Sequence, residues 1–239
     1  MYAIPKAPIL FVGKHYVVVN KLPGVFSQCP DLRSWRSHRM NQPPILLDIV
    51  RSENPDLSTA ELRTVHRLDS QVTGGLLLAK TKSAAQNFSK NLREGGNTGF
   101  GLVRRYVALV EGDLTPLPMC GTLRFGGMVT KYAKVLSNCI VLQLETGKKH
   151  QIRRQLALGL GHPILNDCKY GARKILSAKR QIALHSGFLQ TRVGSHVKTH
   201  LIPVPSSHRH LWNDRVDKNG TFNAKILHVL SSTTLFESA

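Results

Sequence analysis

The chain has 239 residues, 33 of them Lys or Arg and 14 Asp or Glu, for a formal net charge of +19. That length supports a core without disulfide or metal staples, and 41% hydrophobic with 20% charged residues excludes a fibrous or wholly disordered polymer. The apolar runs Tyr16 to Val19 and Leu76 to Ala79 fall far short of the roughly 18 residues of a membrane-spanning helix. The four cysteines form no C-x-x-C pair, which argues against a zinc ribbon and for a reducing, intracellular setting.

From Met1 to Pro30 there is no acidic residue, as in a targeting segment. However, the β-branched and apolar runs Ile9 to Phe11 and Tyr16 to Val19, separated by Gly13-Lys14-His15, predict a hairpin of the fold. Residues 1–8 are left as a short extension. Pro43 to Ser52 carries Ile45, Leu46, Ile49 and Val50 at helical spacing. Gly75 to Ala79 reads as a buried strand, and Ser83-Ala84-Ala85-Gln86 has the spacing of a capping box opening a helix that ends near Gly95 and Gly96. Arg105 to Glu111 is a strand apolar on both faces. Cys139 to Glu145 alternates, with Ile140, Leu142 and Leu144 inward and Gln143 and Glu145 outward.

Lys149 to Leu158 predicts a helix with Ile152 and Leu156 on one face, stopped by Gly159 and Gly161. Ile182 to Leu189 and Val197 to Ile202 are further strands, with Pro203 and Pro205 marking an exit. These elements give one α+β domain over residues 9–212, its mixed, largely antiparallel sheet flanked by helices, and a loop and tail over 213–239. No phosphate-binding glycine loop is present.

Excess positive charge destabilises a folded chain through self-repulsion unless a polyanion lies against it, and nucleic acid is the commonest. The basic residues Lys148, Lys149, Arg153, Arg154, Lys169, Arg173, Lys174, Lys179 and Arg180 face one acid, Asp167, between Thr146 and Arg180. Arg33, Arg36 and Arg39 around Trp35 form a second basic group, nearly balanced by Asp31, Asp48, Glu53, Asp56 and Glu61.

Three segments could carry chemistry. In His66-Arg67-Leu68-Asp69 the acid precedes a glycine-containing turn into a buried strand, a place where a carboxylate is held rigidly yet reached by substrate. By itself Asp69 also reads as a turn residue satisfying backbone N–H groups. Tyr106, with Ala108 on the same strand face, leaves room for a flat partner such as a nucleobase, or is a core tyrosine. At Glu145-Thr146-Gly147-Lys148-Lys149-His150-Gln151-Ile152-Arg153-Arg154 a strand gives way to a helix beside two lysines, an anion site or a solvated basic face. A metal site from His196, His200, His208 and His210 is a remote alternative, since Pro203 and Pro205 interrupt the group.

Together these segments resemble the RluA-type family of pseudouridine synthases. Its pattern H-R-L-D, then Y-x-A-x-V-x-G, then T-G-R-T-H-Q-I-R, then G-H-P-I-x-x-D-x-x-Y-G is met in order. The matching segments are His66 to Asp69, Tyr106 to Gly112, Thr146 to Arg153 and Gly161 to Gly171. Val17 to Gly24 is similar to the family's V-V-x-K-P-x-G, and Ala183-Leu184-His185-Ser186 to its L-H-A segment. The resemblance covers about Ile9 to Pro205. Val72-Thr73-Gly74-Gly75 departs from the usual Thr-Ser-Gly-Leu, Leu22 intervenes before Pro23, and Lys148 and Lys149 stand where Arg and Thr are usual. The segment before Ile9 is short for the small RNA-binding domain many members carry, which assigns the RNA grip to the catalytic domain or a partner.

The resemblance implies that Asp69 is the catalytic carboxylate, that Tyr106 stacks on the target uracil and assists proton removal, and that Arg153 pairs with Asp69. Two unit charges about 4 Å apart at an effective dielectric near 20 attract by about 4 kcal/mol, enough to hold such a pair. Arg67 and the cluster of Lys148, Lys149, His150, Gln151, Ile152, Arg153 and Arg154 would clamp RNA backbone, with His66, Thr73, Gln151 and Leu184 lining the pocket. The implied activity is isomerisation of an unpaired or flipped-out uridine of ribosomal RNA, without cofactor or metal. It would be carried out by a monomer in the mitochondrion or the cytoplasm, alone or beside ribosomal assembly proteins. The alternative is a non-catalytic RNA-binding or ribosome-assembly factor that keeps the fold.

Overall fold

The computed structural model describes residues 7–30, 43–57, 60–94, 99–178, 180–205 and 210–237. The basic group around Trp35, the Gly95-Gly96 stop and His208 fall outside them. The first hairpin is formed by β1 (Ile9–Val12) and β2 (Tyr16–Lys21), closed by Gly13 N–H donating to the Tyr16 carbonyl at 2.9 Å. Ala7, within the expected extension, is buried, and its N–H donates to Glu53 of α1 (Leu46–Glu53) at 3.0 Å.

A two-residue strand β3 (Arg63–Thr64) leads through the Asp69 turn into β4 (Thr73–Ala79), which is buried along its whole length. Helix α2 (Lys82–Glu94) starts one residue before the expected Ser83, because the Thr81 hydroxyl caps the Ala84 N–H. Its Phe88 is buried against Tyr16 and Leu102 in a second, smaller core cluster.

Strand β5 (Gly101–Leu109) starts earlier than the sequence suggests. Leu102, Arg104 and Tyr106 fall on one face, and Val103, Arg105 and Val107 on the other. Its neighbour β8 (Cys139–Leu144) buries Ile140 and Leu142 as expected, with Gln143 and Leu144 half-buried and Glu145 exposed beyond it, while Val141 on the opposite face is also fully buried. Beyond β8 lies a hairpin that was not anticipated, β6 (Cys120–Phe125) and β7 (Met128–Leu136), turning on Gly126 (φ +54°) and Gly127 (φ +68°). A two-residue Gly-Gly connection with both φ values positive is the favoured tight hairpin turn.

The strands β9 (Leu184–Val193) and β10 (His196–Leu201) complete a ten-stranded sheet. Its order is β1-β2-β4-β9-β5-β8-β7-β6, with β10 on β9 and β3 on β4. All pairs are antiparallel except β4 with β9, joined only at Thr73–His185 and Gly74–Ser186. There the backbones approach so closely that a Cβ on Gly74 (φ +112°) would sit 2.5 Å from the Ser186 carbonyl oxygen.

The segment expected as loop and tail instead supplies cover for the sheet. Helix α3 (Gln151–Arg154) follows β8 and is described below, while α4 (Ala224–Ser231) and α5 (Thr234–Glu237) end the described chain. Ile226, Leu230 and Phe236 are buried in the main core cluster with Trp212 and Val107. Arg105 makes this packing work, donating to the Leu230 carbonyl at 2.6 Å while lying 4.8 Å from the Phe188 ring and 4.3 Å from that of Phe236. A buried guanidinium is thus satisfied by a helix C-terminus and two aromatic faces. Among the described residues no helix is long and apolar enough to cross a membrane.

Candidate active site

The Asp69 turn is held from below. Val72 N–H donates to the Asp69 carbonyl at 3.0 Å, and Gly24 N–H to the Ser70 carbonyl at 2.7 Å. Fully buried Lys21, the last residue of β2, donates to the carbonyls of Leu22, Val25 and Ser70. Burial pushes the Lys21 ammonium down to about 7, with the Asp69 charge opposing. The Val17–Gly24 segment therefore serves as the floor that fixes the carboxylate turn.

The opposing wall is the Thr146–Arg153 turn. His150 takes a left-handed conformation (φ +55°) that aims the chain into α3, after which Gln155–Gly159 continue as a π-wound helix. Such local unwinding is common at functional sites. The Gln151 side chain is consumed by the turn: its Oε1 accepts from Thr146 Oγ1 at 2.8 Å and Lys148 N at 3.1 Å. Its Nε2 donates to the Val129 carbonyl at 3.0 Å and Thr130 Oγ1 at 2.8 Å.

Arg153, 3% exposed, faces across this gap. Its Nη1 donates to Asp69 Oδ2 at 2.9 Å, and its Nε and Nη2 grip Asp167 in a bidentate pair at 2.7 Å each. Gln71 Oε1 accepts from Nη2 at 3.3 Å. Burial alone would lower the Arg153 pKa, but hydrogen bonds and attraction from Asp167 and Asp69 outweigh it and raise it. The guanidinium lies 5.1 Å from the Tyr170 ring, whose hydroxyl is 2.8 Å from His150 Nδ1. His150 Nε2 stands 3.7 Å from Asp69 Oδ2. Burial lowers the His150 pKa, with the Asp69 charge opposing and nearby cations adding to the lowering.

Above these groups is an open recess enclosing about 60 Å³, lined by Arg67, Asp69, Tyr106, Lys148, His150, Gln151, Ile152, Arg153 and Leu184 with Leu68, Val72 and Leu144. Tyr106 forms its floor, only 3% exposed. Burial raises the phenol pKa, and the Arg104 charge opposes that rise. A larger cleft of about 540 Å³ shares Leu144 with the recess but contains none of the Asp69, Tyr106 and Arg153 constellation. The carboxylate–guanidinium pair makes the smaller recess the candidate site.

Most of the residues expected at the site meet there, although Asp69, Tyr106 and Arg153 come from three distant parts of the chain. Three do not. Thr73 lies behind the wall, bonded to His185 Nδ1 at 2.8 Å. His66 is buried below it, its Nε2 accepting from Leu77 N–H at 3.0 Å. Lys149 is exposed beside the recess and is not part of its lining. Gln151 lines the recess, but its amide serves the turn. His200, from the histidine group considered above, is engaged with the Tyr16 hydroxyl at 3.1 Å. The role of Asp167 was missed, although Asp167 and Tyr170 stand in the Gly161–Gly171 motif.

Comparison with known proteins shows the family. Residues 15–158 match the family model described as RNA pseudouridylate synthase. The chain is 43% identical over 218 residues to a 21S rRNA pseudouridine(2819) synthase of Eremothecium gossypii, covering 90% of this chain and 84% of that one. It is also 43% identical over 241 residues to the synthase of the same description from Saccharomyces cerevisiae, covering 93% and 95%. In structure it is similar to human RNA pseudouridylate synthase domain containing 4, with a TM-score of 0.61 and 23% identity over 84% of this chain and 91% of that one. Human RNA pseudouridylate synthase domain containing 1 gives a TM-score of 0.60 at 20% identity, covering 85% and 86%. The chain belongs to the RluA-type RNA pseudouridine synthases. It is accordingly an isomerase that acts on RNA.

Proposed function

We propose that this rRNA pseudouridine synthase works through the Asp69 carboxylate, on a uridine of mitochondrial large-subunit ribosomal RNA. The observation that carries the reading is the 2.9 Å contact between Arg153 and Asp69 at the mouth of a recess floored by Tyr106. The guanidinium is itself locked by Asp167, so the Asp69 carboxylate is presented in one orientation without rearrangement. Arg67 and Lys148 at the rim, with exposed Lys149, Lys169, Arg173, Lys174 and Arg180 beyond, supply a cationic approach for RNA backbone. A uridine within a duplex is shielded from such a recess, so the target is unpaired or flipped out. With the base on Tyr106, Asp69 promotes cleavage of the bond between N1 and ribose carbon 1′, the uracil turns in place, and its carbon 5 joins that ribose carbon, giving up its proton while N1 gains one.

The mitochondrial assignment rests on the 21S rRNA named for the fungal relatives, a mitochondrial species. Base-resolved pseudouridine mapping of total RNA from cells with the wild-type gene, no gene or Asp69→Asn tests both points. One mitochondrial large-subunit rRNA site is expected to lose its modification in the last two. Retention of that site in the Asp69→Asn strain refutes the role of Asp69, and loss of a site confined to cytoplasmic RNA refutes the location.

A further inference from the structure

Four cations among the described residues are more than nine-tenths buried: Lys21, Arg104, Arg105 and Arg153. Three are satisfied within the protein. Lys21 donates to three carbonyls, Arg105 to Leu230 and Gln143, and Arg153 to two carboxylates. Arg104 differs. Its Nε has no hydrogen-bond partner, and no ion pair joins it to a described carboxylate. A buried guanidinium left in this state is costly unless an anion arrives to complete it.

The surroundings indicate which anion. His66 accepts the Leu77 N–H at Nε2, so its ring proton sits on Nδ1, and that donor is also buried without a partner. Arg104 is close enough to His66 for its charge to add to burial in holding the imidazole down at about 3. The end of the guanidinium lies under the Thr146-Gly147 turn, where a Cβ on Gly147 would be 3.9 Å from Nη1. Arg104 also precedes Tyr106 by two residues on the same face of β5. Two strand residues span about 7 Å, comparable with the distance from a nucleobase to its own phosphate.

We infer that Arg104 is a phosphate subsite that takes the RNA backbone phosphate flanking the target uridine. This rests on the reading that places the uracil at Tyr106. A guanidinium with free donors in a water-poor setting binds phosphate through charge-assisted hydrogen bonds. Within the protein Arg104 feels the Glu145 charge only at a distance, and the substrate phosphate would supply the direct partner.

The test pairs Arg104→Gln and Arg104→Met with a stem-loop RNA spanning the mapped uridine, and with the same RNA carrying one neutral methylphosphonate at each nearby phosphate in turn. For the wild-type protein, neutralising one phosphate adjacent to the uridine is expected to weaken binding about tenfold, the scale of one charge-assisted hydrogen bond. Each variant is expected to bind unmodified RNA about as weakly, to be indifferent to that one methylphosphonate, and to lose about one unit of salt slope. Both should unfold at or above the wild-type denaturant midpoint, since an unpaired buried charge has been removed.

The inference is overturned if the variants keep the methylphosphonate penalty, or if turnover falls while affinity and salt slope hold, which would make Arg104 a support for Tyr106. Should neither variant fold, the wild-type scan alone decides, and it sinks the subsite if no adjacent phosphate matters. Conversion of the RNA by wild-type protein separately tests the Asp69 reading, because the binding cycle does not require turnover.

Discussion

At the scale of single residues, the site is organised by Arg153 more than by Asp69. Arg153 gives three of its donors to two carboxylates, and the two are not equivalent. Asp167 is 1% exposed and gripped twice, whereas the Asp69 side chain is 17% exposed and touched once. Removing the Asp167 charge leaves a buried guanidinium half-compensated, a change that typically costs about 3 to 5 kcal/mol. Asp167→Asn is therefore expected to lower stability by about 3 kcal/mol and kcat by about 100-fold, with RNA affinity within about twofold. Asp69→Asn, with the Asp167 grip intact, is expected to cost under about 1 kcal/mol of stability while abolishing turnover. Urea unfolding and single-turnover assays on both variants provide the comparison. Wild-type kcat in Asp167→Asn would mean that Arg153 needs no second carboxylate.

At the scale of elements, the crossing of β4 and β9 holds the two halves of the sheet together by a two-residue parallel contact. It also fixes the turn bearing Asp69 relative to Leu184. Gly74→Ala would force a methyl to 2.5 Å from the Ser186 carbonyl at a φ of +112°, and is expected to lower stability by more than about 3 kcal/mol. Gly171→Ala is the control, since at φ +94° it meets nothing within 4 Å, and should cost only the conformational penalty of about 1 kcal/mol. Equal losses in the two variants would show that the crossing tolerates separation.

The Gly74 contact also shows why the sequence could be read only in part. The strand after Asp69, the Lys149–Leu158 helix and the first hairpin follow from periodicity and turn residues within a few positions. The Asp69–Arg153 pair was reached through motif order, since nothing local links residues 84 apart in the chain. The β6–β7 hairpin was missed although Gly126-Gly127 between apolar runs is a hairpin signal. Arg105, a charge amid apolar neighbours, gave no sign that a C-terminal helix would satisfy it. Helix α4 has Ile226, Val229 and Leu230 buried on one side, the spacing of an amphipathic helix, and that pattern was available in the chain. Thr73 and His66 were placed at the pocket wall because adjacency to Asp69 in sequence says nothing of which face a strand residue takes.

At the scale of the whole molecule, two electrostatic features act on stability in acid, and they separate by their response to salt. One is the net charge of +19, which grows as carboxylates protonate and adds long-range repulsion. The other is local. His66 and His185 are buried as neutral rings, held down to about 3 and about 4, chiefly by burial. His185 is bonded at both nitrogens, to Thr73 Oγ1 at 2.8 Å and to the Ile202 carbonyl at 3.0 Å.

Above pH 6.5 these imidazoles are neutral in both folded and unfolded chains and bring no pH dependence. Below it the unfolded chain takes up protons that the folded one refuses, so stability is lost as pH falls towards the folded values. Each group contributes a slope of about 1.4 kcal/mol per pH unit, on the order of 3 kcal/mol by pH 4 for either ring. That sum is comparable with the whole stability of an ordinary domain, about 5 to 15 kcal/mol. The urea midpoint is therefore expected to fall steeply between about pH 6 and pH 4 and to remain steep in about 0.5 M salt, where repulsion between surface charges is screened. His185→Gln should flatten the slope by about 1.4 kcal/mol per pH unit. A midpoint that holds steady to pH 4.5, or an acid loss that added salt abolishes, would assign the effect to net charge and leave the buried imidazoles without a part in it.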